Sequence, residues 1–129
     1  MEDNNYQFNG EISFNLVSKK DDEVTSKMPI KKGMLNPYGV VNAGAIIWFA
    51  DVNASLLLLD SLKPEEGSKG FPLAININAN LMSNRRDGAF IAVSTFIKKG
   101  RTVSVINTTV TDDQGKVIAN ITSNHVASI

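Results

Sequence analysis

The chain has 129 residues, 13 basic and 13 acidic side chains, 43% hydrophobic residues and no cysteine. This length suits a single domain spanning residues 1–129, and the balanced charge lacks the basic excess of nucleic-acid-binding proteins. Disulfides and thiolate metal sites are excluded. The single histidine, His125, cannot form a catalytic metal site of three imidazoles. We therefore expect no metal and no other cofactor.

The first part of the chain predicts two strands and a loop. Residues 1–5 are acidic and polar rather than basic and apolar, so we expect a cytoplasmic protein without a signal peptide. Apolar and polar residues alternate over 11–17, which predicts a half-buried strand. After a polar turn a second strand is predicted over 23–30. The glycines and the proline of 31–41 indicate a loop.

A long apolar helix is predicted next, with Asn42 as its candidate N-cap, running to about Leu62 and ending before Pro64. Apolar residues cover all its faces, which is typical of a helix that is buried all round. The apolar run from Ala43 to Leu59 is shorter than the roughly 20 residues of a membrane span. Asp51 at its centre would cost roughly 2.5–3.5 kcal/mol on insertion, so we predict a buried helix and no membrane partner.

Four more strands are predicted, over 73–81, 89–98, 102–111 and 116–126, separated by short polar turns. Short turns favour antiparallel pairing of successive strands, so we expect these four to form a meander. A single sheet curled around one apolar helix would bury all of that helix. The predicted architecture is therefore the hotdog fold, an α+β fold in which an antiparallel sheet wraps around one long buried helix.

The segment 36–44, together with Asp51, resembles the signature of PaaI-type hotdog thioesterases. That signature is Asn-x-x-Gly-x-x-His-Gly-Gly, with an aspartate seven residues after the last glycine. The residues that match it in identity and spacing are Asn36, Gly39, Gly44 and Asp51. The family histidine is Asn42 here, and the first glycine of the pair is Ala43. The resemblance implies an acyl-CoA thioesterase with sites built across a homodimer interface, and homotetramers are common in the family.

Thioester chemistry suggests roles for the same residues. Hydrolysis needs hydrogen-bond donors for the developing oxyanion and a carboxylate that activates water or attacks directly. The N–H groups of Ala43 and Gly44 begin the helix, lack intrahelical partners and add to the positive end of the helix dipole. Asn36 is expected to supply an amide donor or to hold the water, and Asp51 to act as base or nucleophile. The resemblance adds Ser83, at a family position that holds the water or the carboxylate; we assign it to the Asp51 side of the site.

The distance along the helix predicts a second subunit. Asp51 lies about 10 Å from Gly44 at 1.5 Å per residue, which is too far for one thioester carbon to touch both. An antiparallel helix of a neighbouring subunit would bring its own Asp51 beside the helix start. The acyl-CoA phosphates are expected at Lys98-Lys99-Gly100-Arg101, which matches a family segment near the nucleotide, and at Arg85 and Arg86 in another turn.

Simpler roles compete for each residue. Asp51 can be a paired buried carboxylate, Asn36 a turn residue beside a proline, and Asn42 a plain N-cap. The 98–101 run can be a solvated turn, and His125 is interpreted as structural. Three functions remain open: a thioesterase, a non-hydrolytic acyl-CoA-binding domain, which the missing family histidine favours, and a hotdog hydratase or dehydratase. The last usually pairs a histidine with a carboxylate, and it ranks third because the lone histidine lies near the C-terminus.

Overall fold

The computed structural model describes residues 9–59 and 72–127. Its helices and strands, in chain order, are β1 Asn15–Lys19, β2 Glu23–Pro29, a short 3₁₀ turn Lys32–Met34, α1 Ala43–Leu58, β3 Pro72–Leu81, β4 Ala89–Lys98, β5 Val103–Asp112 and β6 Val117–Ala127. The strands form one antiparallel sheet in the order β1-β2-β4-β5-β6-β3. Helix α1 packs against β2 to β6, which confirms the predicted sheet around one long helix.

Most predicted elements agree with the structure to within one or two residues, and the differences have local causes. Strand β1 begins at Asn15 instead of residue 11, because the Glu11 N–H donates to the Gly33 carbonyl (3.0 Å) and ties this segment to the 31–41 loop. Helix α1 ends at Leu58, where Leu59 adopts extended backbone angles. The predicted end near Leu62 lies outside the described residues.

The predicted meander of four strands is wrong for β3. Strand β3 pairs with β6 at the far edge of the sheet, whereas β4 pairs with β2 and β5. The 82–88 connection is therefore not a hairpin. The N–H groups of Met82 and Ser83 both donate to the Ile118 carbonyl (2.8 and 3.1 Å), and the Val41 N–H donates to the Arg85 carbonyl (3.2 Å). These bonds tie the connection to β6 and to the loop before α1.

Helix α1 is unevenly buried. One face packs into the sheet through residues spaced three or four apart, namely Ala45, Ile46, Phe49, Ala50, Asn53, Ala54 and Leu57. The other face, which we call the open stripe, consists of exposed Gly44 and half-buried Ile47, Trp48, Asp51 and Val52. The expectation of an apolar helix covered on every side is thus met on one face only. In the part of the chain that the structure describes, no helix combines the length and hydropathy that crossing a membrane requires.

The rotation of α1 is set by Asn53, which is fully buried. Its Nδ2 donates to the Val24 carbonyl of β2 (3.2 Å) and to Ser94 Oγ of β4 (2.8 Å), and Ser94 Oγ lies 2.6 Å from Thr108 Oγ1 of β5. Successive helical residues are turned by about 100°, so Asp51 lies about 160° around the helix from Asn53. Asn53 therefore faces β2 and β4, and Asp51 is turned to the opposite side.

A cluster of charged residues joins the 82–88 connection to the β5–β6 turn. The Arg85 guanidinium lies 3.0 Å from Asp112, 3.3 Å from Asp87 and 3.5 Å from Asp113. Asp112 also accepts hydrogen bonds from the N–H groups of Gln114 and Lys116, at 2.9 Å each. Arg85, predicted to meet a phosphate, is thus engaged by three carboxylates of its own chain, an arrangement that favours a structural role.

This cluster predicts how stability falls in acid. Burial acts to raise the pKa of Asp112, but the bonds from Lys116, Gln114 and Arg85 outweigh it and hold that pKa below the ordinary 3.8 of an aspartate. Asp112 therefore stabilises the fold above about pH 4, and this contribution is lost as the pH falls through the lowered folded-state pKa. We expect Asp112→Asn to lower the melting temperature by several degrees at neutral pH and by much less near pH 2.

The check is a set of thermal melts at pH values from about 7 to about 2. Asp21→Asn, which changes an exposed aspartate in the β1–β2 turn, is the matched control and should leave the melting curve nearly unchanged. An Asp112→Asn deficit of equal size at both ends of the pH range would contradict this role.

Candidate active site

The loop before α1 holds Asn36 in a defined orientation. Asn36 Oδ1 accepts hydrogen bonds from the N–H groups of Tyr38 (2.9 Å) and Val40 (3.2 Å). The Gly39 N–H donates to the Asn36 carbonyl (2.9 Å), and Gly39 has a φ of +84°, a conformation that suits glycine. The side-chain oxygen is thus used by the loop. The amide Nδ2 is the group left to meet a ligand, and the predicted donor role of Asn36 stays a prediction.

The start of α1 is open to solvent. Asn42 occupies the N-cap position, as predicted, but its side chain makes no capping hydrogen bond. The first N–H groups that return to the Asn42 carbonyl are those of Ala45 (3.0 Å) and Ile46 (3.3 Å). Ala43 and Gly44 precede them and are exposed, and a Cβ added to Gly44 would meet nothing within 4 Å. Two helical N–H groups and a carboxamide are therefore accessible at this end of the helix.

Asp51 carries a buried oxygen without a hydrogen-bond partner. Its side chain is half-buried on the open stripe, and its Oδ1 is buried and unpaired within the described part of the chain. Ser55 Oγ donates to the backbone carbonyl of Asp51 (2.9 Å) and leaves the carboxylate unengaged. An unpaired buried acceptor costs about 1–3 kcal/mol, more when it is charged. Such a group calls for a functional explanation or a missing partner.

His125, which the sequence interpretation took as structural, is a second buried titratable side chain with an unpaired atom among the described residues. It is 1% exposed, its Nε2 lies 2.8 Å from Ser123 Oγ, and its Nδ1 is buried without a partner in the described structure. Burial lowers the pKa of the imidazole by more than the charge of Asp51 raises it. The alternation along β6 was an available signal, because it places Ile121, Ser123 and His125 on one face.

Ser83 lies near the helix start. Its N–H donates to the Ile118 carbonyl (3.1 Å), and the next residue, Asn84, donates through Nδ2 to the Val41 carbonyl (2.8 Å). Within one protomer Ser83 is therefore beside the loop that leads into α1. Its predicted place on the Asp51 side of the site stays a prediction, which concerns the Asp51 of a second subunit.

The predicted basic turn lies at the other end of α1. Lys98, Lys99 and Arg101 are exposed, and Lys99 Nζ lies 5.5 Å from the centre of the Phe96 ring. Gly100 is required there, because an added Cβ would overlap the Val103 carbonyl. Of the two arginines in the 82–88 connection, Arg86 is exposed and reaches the Gly39 turn near the helix start.

A cleft of about 460 Å³ adjoins this turn. Its lining combines the apolar end of α1 with charged side chains from two turns: Leu57, Leu58, Leu59, Phe96, Lys19, Lys20, Asp21 and Lys99. The lysines of the β1–β2 turn, which the sequence marked only as a polar turn, thus join those of the β4–β5 turn. The structure places these cations together at the C-terminal end of the helix and Arg86 at its start.

Comparison of the sequence with known proteins finds a curated relative but no family model. No protein-family model matches the chain. "Putative esterase PA1618" of Pseudomonas aeruginosa is 30% identical over 96 residues, which cover 74% of this chain and 64% of that protein. The chain thus matches just under two thirds of the length of this curated relative.

Solved structures are similar over nearly the whole chain. The crystal structure of a mutant of PA1618, called a thioesterase there, has a TM-score of 0.77 at 24% identity and covers 89% of this chain and 81% of that one. A mutant of the Staphylococcus aureus thioesterase SAV0944 has a TM-score of 0.80 at 23% identity, with coverage of 90% and 93%. Streptococcus mutans smu.793, bound to acetyl CoA, has a TM-score of 0.78 at 19% identity, with coverage of 90% and 89%. The chain has the hotdog fold of these proteins.

Two glycines give a matched test of the open helix start. Gly44→Ala should be neutral or stabilise by up to about 1 kcal/mol, because alanine favours the helix and the space is empty. Gly100→Ala should destabilise by about 1–3 kcal/mol, because its Cβ collides with the Val103 carbonyl. Urea unfolding of the two variants measures the difference. Equal losses would mean that the helix start is not open.

Proposed function

We propose that this protein is a PaaI-like thioesterase that hydrolyses an acyl-CoA thioester to a free acid and CoA, as a homodimer and without a metal or cofactor. The observation that carries the proposal is the buried, unpaired oxygen of Asp51 on the open stripe of a helix whose start is also open. A carboxylate and a set of oxyanion donors are the two parts that thioester hydrolysis needs.

The edge strand β3 supports the dimer. It has ten residues and no charged side chain, and Leu73, Ile75 and Ile77 are 49%, 58% and 39% exposed. The opposite edge, β1, has five residues and ends in Lys19. A long uncharged edge strand is a template for pairing with another chain. Antiparallel pairing of two β3 edges would set two helices antiparallel, with each Asp51 beside the other subunit's helix start.

In the proposed reaction the thioester oxygen accepts hydrogen bonds from the Ala43 and Gly44 N–H groups, with the Asn36 amide as a further donor. Asp51 of the other subunit takes a proton from water, whose oxygen adds to the carbonyl carbon. The C–S bond then breaks, and the thiolate of CoA receives that proton. Direct attack by the carboxylate, followed by hydrolysis of the anhydride, gives the same products. Asn42 can donate a hydrogen bond but cannot carry a proton as the family histidine can.

The relatives support the substrate class. The PA1618 crystal structure is named for a thioesterase, and smu.793 was crystallised with acetyl CoA. In this chain Lys98, Lys99, Gly100 and Arg101 are proposed to meet the CoA phosphates, with the lysines of the β1–β2 turn beside them. Arg86 is the exposed cation of the 82–88 connection, whereas Arg85 is already paired.

Acyl-CoA binding without hydrolysis is the second candidate function. It is favoured by Asn42, which replaces the histidine of the family signature. The Asn42 carboxamide is exposed and makes no capping hydrogen bond. Such a protein would keep the oxyanion donors and the basic turn, and it would hold the thioester without turning it over.

A hydrolysis panel tests the proposal. We expect wild-type protein to release CoA from at least one of a set of short, medium-chain and aromatic acyl-CoA esters. Asp51→Asn should lower kcat by about 10²- to 10⁴-fold, the usual range for a lost general base. Asp113→Asn, which changes an exposed aspartate of the β5–β6 turn outside the cleft, serves as control. Tight binding by calorimetry with no turnover would establish the second candidate, and equal rates for wild type and Asp51→Asn would contradict the first.

Mixed dimers test whether two subunits build the site. Asp51→Asn and Gly44→Leu should each be inactive, the first without its carboxylate and the second with a blocked helix start. A mixed dimer has one intact site, so an equal mixture should recover about a quarter of wild-type activity if the dimer is twofold symmetric. Co-purification through two different tags confirms that mixed dimers form. Mixed dimers that form and stay inactive would contradict the shared site.

A further inference from the structure

We propose that the nucleotide end of the acyl-CoA binds in the cleft at the C-terminal end of α1, and that the cleft used belongs to the subunit that supplies Asp51. This inference rests on the proposed function, because it takes the thioester carbonyl to lie at the helix start of the other subunit. It adds a place for the base and its phosphates. It also divides the contacts of one ligand between two subunits.

The open stripe of α1 leads from the helix start to this cleft. Gly44, Asp51 and Leu58 are spaced at intervals of about two helical turns, so they point within about 20° of one another from residue to residue. Leu58 is half-buried and lines the cleft of about 460 Å³. It also lines a second cavity, of about 140 Å³, which includes Arg101. The helix start, the carboxylate and the cleft therefore lie along one side of the helix.

The cleft combines apolar surface with an excess of positive charge. The leucines at the end of α1 and Phe96 of β4 supply the apolar surface, and Lys99 Nζ lies 5.5 Å from the centre of the Phe96 ring. Lys19, Lys20 and Lys99 supply cations against the single carboxylate of Asp21. The volume lies within the roughly 300–1,000 Å³ of small-molecule sites. A planar base that carries several phosphates, as the nucleotide of CoA does, matches both the surface and the charge.

Distances along the helix decide which of the two clefts of a dimer is in reach. At 1.5 Å per residue, Leu58 lies about 10 Å along the axis from Asp51 and about 21 Å from Gly44 of the same chain. The arm between the sulfur of CoA and its first phosphate has about thirteen bonds, and at roughly 1.2 Å per bond it extends about 15 Å. A thioester at one helix start therefore reaches the cleft beside the other subunit's Asp51 and falls short of the cleft on its own helix.

Antiparallel helices also direct the ligand outward. Where Asp51 of one subunit lies beside the helix start of the other, the remainder of its helix continues past that start instead of along the partner helix. Val52 and Leu58, which are half-buried, belong to this length of α1. The arm of CoA can follow it from the thioester to the lysines without crossing the helix pair.

An introduced thiol can report where the arm lies, because the chain has no cysteine. Gly44→Cys places it at the helix start, where an added Cβ meets nothing within 4 Å. The reagent is the mixed disulfide of CoA with 2-thiopyridine. The introduced thiolate attacks the CoA sulfur, the S–S bond of the reagent breaks, and 2-thiopyridone is released and measured by its absorbance. The corresponding disulfide of cysteamine, which lacks the nucleotide, measures the reactivity of the thiol itself.

Mixed dimers purified through two different tags then locate the cleft. One subunit carries Gly44→Cys, and Lys20→Glu together with Lys99→Glu is placed either on that subunit or on the other. We expect labelling by subsaturating CoA reagent to slow about 10- to 100-fold when the lysine changes are on the other subunit, and to stay unchanged when they are on the same one. Lys27→Glu, at an exposed lysine of β2 outside the cleft, is the charge-matched control. Labelling by the cysteamine reagent should be equal throughout.

The pattern of labelling decides the outcome without any hydrolysis. Slowing by lysine changes on the same subunit, on both or on neither would overturn the proposal, and so would two tagged chains that do not co-purify. If labelling depends on the other subunit's lysines but no acyl-CoA is hydrolysed, the proposed thioesterase function fails and the nucleotide site stands.

Discussion

The carboxamide of Asn53 is the contact on which the arrangement of the molecule depends. It donates to a backbone carbonyl of β2 and to a serine of β4 inside the buried helix–sheet interface. Turning α1 by one residue would break these bonds and leave a buried amide unpaired, at a cost of about 1–3 kcal/mol. The same turn would carry Asp51 toward the apolar core. The hydrogen bonds of Asn53 thus set the side of the helix on which the Asp51 carboxylate lies.

The fold could largely be predicted because its signals are local. Alternation located the strands, and the apolar run that follows Asn42 located the helix. The place of β3 could not be predicted, because strand periodicity does not record which strand is the neighbour. Bonds between residues distant in sequence decide that, such as those of Met82 and Ser83 to Ile118. Turn length alone suggested a hairpin.

The candidate site was predictable to the same extent. Asn36, Gly44 and Asp51 lie within one short segment, so their spacing could be read directly from the sequence. The burial of His125 could not be predicted in the same way, because strands β3 and β5, which flank it, pair with β6 only in the folded chain. The ion pairs of Arg85 could not be predicted from the sequence either. A cation in a turn suggests a phosphate, but the carboxylates that engage it come from the 82–88 connection itself and from the β5–β6 turn.

The exposed edge of β3 affects how this sheet can pair with other chains. The outer backbone N–H and C=O groups of these ten uncharged residues form a template for β-pairing. An extended segment of any other chain can pair with it, as can a copy of the same strand. An Ile75→Lys substitution would place a charge on this edge and lower its tendency to pair with other chains.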